Sequence, residues 1–100
     1  MAKTLGIFAS SNKHLDKIIG LCNAARKKGV EVTLFFTHKG TLLTQDPRFA
    51  ELEGLKMSIC RVGFKDNGLK PPVPGMDEKD YTTQAAHAEM INNCDRYVVF

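Results

Sequence analysis

The sequence predicts an α/β domain with parallel strands. Two observations carry this: a strand, helix and strand in the first part of the chain, and helical spacing that returns later and leads into the short apolar ending YVVF. A length of 100 residues suits one domain with a real core, so a single domain over residues 1–100 is expected.

The first strand is expected over Thr4 to Ala9, an apolar run closed by Ser10, Ser11 and Asn12, which favour turns and helix starts. Leu15, Ile18, Ile19, Cys22 and Ala25 then recur at the spacing of one helical face, and Gly29 follows Lys27 and Lys28 as a stop signal. Val30 to Thr37 (VEVTLFFT) reads as a strand covered on both faces. Together these make a βαβ unit, whose strands run parallel with a right-handed connection.

After Gly40 a helical turn is expected over Thr41 to Gln45. Asp46 and Pro47 then read as the start, and Gly54 as the end, of a second short helix. Leu55 to Cys60 alternates as a third strand with one face less completely covered. Arg61 to Met76 holds the Asn67-Gly68 turn signal, three prolines and Gly75, and is expected to be mostly loop. Helical spacing returns from Asp77 to Cys94 with His87, Met90, Ile91 and Cys94 on one stripe.

Composition narrows the function. An apolar fraction of 43% and a charged fraction of 25% are those of a soluble globular chain, which argues against disorder. No apolar run approaches the roughly 20 residues of a membrane span, and MAKTLGIFAS lacks a signal peptide's long apolar stretch, so a cytoplasmic protein without membrane contact is expected. The net charge of +3 is scattered, and no basic aromatic-interleaved pattern points to nucleic acid. Cys22, Cys60 and Cys94 are odd in number and widely spaced, so neither a disulfide framework nor a metal site is expected.

Ligands of open α/β sheets bind beyond the carboxyl ends of the strands. That edge gathers Ser10, Ser11 and Asn12 after the first strand, His38 and Lys39 after the second, and Cys60 with Arg61 after the third. A thiol reacts as thiolate, which neighbouring cations favour; Cys60 has Arg61 beside it and Lys65 close in sequence. The same residue also reads as a small buried hydrophobe. Cys22 and Cys94 fall on apolar helical stripes and read as core. His38 reads either as a general base or as a solvated loop residue, His87 as a packed or interface histidine, and His14 as an exposed first-turn residue. The stretch from Ser10 to Lys13 can face an anion at a helix start but lacks the glycines of a nucleotide loop, so no cofactor is expected.

The run NAARKKGVEVTLFFTHKG, the lone cysteine closing the strand in LKMSICRVGFKDNGL, and the ending CDRYVVF together resemble the DsrE/DsrF/TusD family of small sulfur-relay proteins, whose relatives are often described as predicted peroxiredoxins. The resemblance covers most of the chain and departs from the family at KPPVPGM. It implies a three-layer α/β/α fold on a mainly parallel sheet of four to five strands. It further implies a homo-oligomer, trimer or hexamer, and a cysteine that carries sulfane sulfur as a persulfide, matched here by Cys60. The leading expectation is a sulfur carrier that takes sulfur from a donor protein and passes it to an acceptor thiol, with Arg61, Lys65 and His38 in support. Two rivals stand beside it. One is a non-catalytic small-ligand-binding or structural subunit using Ser11, Asn12 and His38; the other is a thiol peroxidase, for which Cys22 and Cys94 look too buried to resolve a sulfenic acid.

Overall fold

The computed structural model describes residues 3–52, 54–70, 73, 76 and 78–100. Five parallel strands form one sheet in the order β4-β3-β2-β1-β5, with helices on both faces, as in a three-layer α/β fold. The strands are β1 (Thr4–Ala9), β2 (Glu31–Phe36), β3 (Lys56–Cys60), β4 (Tyr81–Thr82) and β5 (Arg96–Val99). Between them lie α1 (Leu15–Lys27), α2 (Arg61–Asp66) and α3 (Gln84–Asn93), and two 3₁₀ segments, His38–Gln45 and Pro47–Leu52, replace a helix between β2 and β3.

Alternation along each strand sorts the side chains into two layers. Leu5, Ile7 and Ala9 of β1, Val32, Leu34 and Phe36 of β2, and Met57 and Ile59 of β3 meet Leu15, Ile18, Ile19 and Cys22 of α1 in the larger core. The 3₁₀ segments add Leu43, Phe49 and Leu52, and α2 adds Phe64. The other layer is thin: Phe35, Cys60 and Met90 are buried there, with Phe8 and Tyr97 packed against them. Helix α3 lies close over β1 because Gly6 carries no side chain. A Cβ there would meet Cys94 Sγ at 3.0 Å and Met90 Cγ at 3.3 Å.

Two further expected elements differ. Arg61 to Asp66 is helix, and Asn67 and Gly68 end it: Asn67 is the C-cap, its N–H donating to Gly63 O, and Gly68 takes the left-handed φ of 72°. The long helix expected from Asp77 is confined to Gln84–Asn93. A 3₁₀ turn at Glu78–Asp80 and β4 precede it, and the Thr83 side chain caps it by accepting from Ala85 N at 3.3 Å. On α3, Met90 is buried as expected but Ile91 is 42% exposed, so the apolar stripe is narrower than its sequence suggests. Pro71, Pro72, Pro74, Gly75 and Asp77 lie outside the described residues.

Candidate functional site

Cys60 is the last residue of β3 and the N-cap of α2. Ile59 faces the larger core, so the alternation turns Cys60 to the α3 layer, where it packs with Phe35 and Met90. Its exposure is 6%, against 1% for Cys22. Burial pushes the Cys22 thiol up to about 11, an effect that Arg26 only partly opposes, so Cys22 is an inert core thiol. Cys94 departs from the core reading: it is the half-buried C-cap of α3, its thiol 3.6 Å from the Ile91 carbonyl.

An aromatic stack roofs this layer. The His87 ring lies over Phe8 with centroids 4.1 Å apart and over Phe35 at 5.4 Å, both near parallel, and its Nε2 is 2.5 Å from the Tyr97 hydroxyl. Burial lowers the His87 pKa and so favours the neutral ring, which accepts from that hydroxyl when Nδ1 carries the proton. Burial, and then the Cys94 charge, raise the pKa of Tyr97 and keep its hydroxyl a donor. His87 is thus the packed histidine its spacing suggests. Its packing against Phe35, the neighbour of Cys60, was not legible from that spacing.

The other expected site residues divide among three places. Arg61 is exposed, and its Nη2 and Nε donate to the Tyr81 carbonyl at 2.9 and 3.3 Å, which ties α2 to β4. Lys65 lies on the same helix, and both line a cleft between α2 and β4. At the end of β1, the Ser10 and Ser11 N–H groups and the Ser10 hydroxyl all donate to the Phe100 carbonyl, at 2.8, 3.3 and 3.2 Å. Those amides are therefore already engaged. Asn12 is exposed, and the Ser11 hydroxyl is buried without a hydrogen-bond partner among the described residues.

His38 is exposed and held at a positive φ of 48°. The backbone strain is offset by a clamp that sequence reasoning missed. Asn67 Nδ2 donates to the His38 carbonyl and to Thr41 Oγ1, each at 2.7 Å, and to the Gly63 carbonyl at 3.0 Å, while the Thr41 hydroxyl donates to the His38 carbonyl at 3.0 Å. Only the Asn67-Gly68 pair hints at this clamp in the sequence, where it signals a turn. Among the described residues no three His, Cys, Asp or Glu side chains converge to hold a metal ion, and no helix is long and apolar enough to cross a membrane.

These features define a class: a parallel α/β protein with one thiol sheltered under an aromatic layer at the carboxyl end of its sheet. No family model matches the chain, and no curated protein matches it.

Proposed function

We propose that the chain is a cytoplasmic sulfur carrier of the DsrE/DsrF/TusD type, holding sulfane sulfur on Cys60. The observation that carries this is a lone thiol at the carboxyl end of an inner strand, followed by the backbone N–H groups of α2 and roofed by apolar rings. The Cys60 thiolate attacks the terminal sulfur of a donor persulfide. A sulfur–sulfur bond forms to Cys60 as the donor's own sulfur–sulfur bond breaks, and the donor leaves as a thiolate. An acceptor thiolate then attacks the same terminal sulfur and Cys60 leaves as thiolate, so the exchange is redox-neutral and requires no cofactor. At 6% exposure, Cys60 reacts when the thin α3 layer shifts, and the closed layer shields the persulfide from water.

Incubation with a small-molecule persulfide donor should add the mass of one sulfur atom to the intact chain. Cys60→Ser should abolish the gain and Cys94→Ser should retain it. A gain that survives Cys60→Ser would overturn the assignment. No gain on the native chain would instead favour the reading in which the buried Cys60 only packs and the chain is a non-catalytic subunit, which its burial beside Phe35 and Met90 supports.

The carrier assembles as a closed homo-oligomer, trimer or hexamer in keeping with the family resemblance. Support comes from apolar surface on one side of the molecule: Val99, 56% exposed, shares the α3 face with Tyr97, and Ile91 stands on α3 itself. The outer edge of β5 lies beside them and pairs with no strand among the described residues, an arrangement soluble proteins usually cover. Sedimentation equilibrium at micromolar concentration should report an oligomer that Val99→Asp dissociates. A strict monomer would refute this interface.

A further inference from the structure

We propose that the cleft between α2 and β4 is a binding site for a small organic anion with a flat apolar body. The cleft has a volume of about 630 Å³, within the range that small-molecule sites occupy. Phe64, Leu69, Met76 and Tyr81 supply its apolar lining. Phe64 and Tyr81 meet edge to face at 5.2 Å, and the Tyr81 hydroxyl accepts from Val73 N at 3.1 Å, so the aromatic wall is fixed from two sides. The mouth is open over Gly68, where a Cβ would touch nothing within 4 Å.

The charge at this mouth selects the ligand. Among the described residues, Arg61, Lys65 and Lys70 line the cleft against one acid, Glu78. Arg61 is anchored on the Tyr81 carbonyl, which positions its guanidinium before any ligand arrives. Lys65 and Lys70 make no ion pair among the described residues. An apolar wall with a net cationic rim matches a ligand whose ring enters the cleft and whose carboxylate or sulfonate stays at the mouth. Cys60 does not line this cleft, and no sulfur chemistry enters the argument, so the sulfur-carrier reading and this one can fail separately.

The test uses 2-naphthoate and its neutral counterpart 2-naphthamide, titrated into the full chain and followed by backbone amide chemical shifts. Naphthoate should bind saturably, with the largest shifts at Phe64, Lys65, Gly68, Leu69 and Tyr81. Reversing two rim charges in Lys65→Glu/Lys70→Glu should weaken naphthoate by about tenfold and leave naphthamide binding unchanged. Both lysines are exposed, so the variant should fold, as its unperturbed core shifts would show. The proposal is overturned if naphthoate shows no saturable shifts at millimolar concentration, if the shifts centre elsewhere, or if charge reversal weakens both probes alike or neither.

Discussion

Gly40→Ala should cost at least about 4 kcal/mol, a large part of the 5–15 kcal/mol that holds such a domain together. A Cβ at position 40 would lie 2.0 Å from the Ala9 carbonyl oxygen and 2.6 Å from its carbon, where no rotamer change can help. The backbone cannot yield cheaply either. Ala9 O accepts from Thr37 N at 2.9 Å and Gly40 N donates to Thr37 O at 2.8 Å, so relief on one side breaks a bond on the other. Urea melts measure the loss. Gly20→Ala is the control: it lies exposed on α1 with nothing within 4 Å of its Cβ, and alanine there should stabilise by about 0.5–1 kcal/mol through helix propensity. Equal melts for the two variants would show that the approach of Gly40 to β1 is not as described.

Phe35→Ala should cost about 3–5 kcal/mol and at the same time make Cys60 faster to alkylate. The ring is 1% exposed, stacks on Phe8 at 6.0 Å and on His87 at 5.4 Å, and shares its cluster with Cys60 and Met90. Because that layer is one helix thick, its loss opens a path to the thiol that the larger core cannot close. Thiol labelling under native conditions, read by peptide mass, reports both effects. If labelling of Cys60 does not change while stability falls, the ring supports the fold without guarding the thiol. Phe36→Ala offers the comparison: that ring packs in the other core, 5.5 Å from Phe49, and its loss should destabilise without exposing Cys60.

The first half of the fold was legible in the chain because periodicity there is unambiguous. The 3.6-residue stripe of α1 and the apolar run of β2 give β1, α1 and β2 nearly to the residue. Elements after Cys60 were harder for local reasons. Six residues of α2 are too few to display a period, and the Asn-Gly signal that suggested a loop belongs to the end of that helix. Two residues, Tyr81 and Thr82, cannot show the alternation of a strand; β4 is defined by its neighbour β3. The strand-end position of Cys60 followed from residue order alone. Its burial did not, since that depends on Met90 of α3 and on rings contributed by β1, β2 and β5. Arg61 illustrates the same limit: adjacent to the thiol in sequence, it reaches instead for a carbonyl on β4.

The strand order has a kinetic consequence. β1 through β4 are laid down in sequence, each beside the last, whereas β5 must return across the sheet to pair with β1, Leu5 against Arg96. Closing so long a loop carries an entropic penalty that no local contact offsets, so this pairing belongs among the late events of folding. Until it forms, Leu5 to Phe8 present a bare hydrophobic edge, and the aromatic roof has lost Tyr97. A second chain in the same state offers an equivalent β5. Crowded refolding therefore favours exchange of this strand between molecules, a hazard that dilution or a stabilised α3 would suppress.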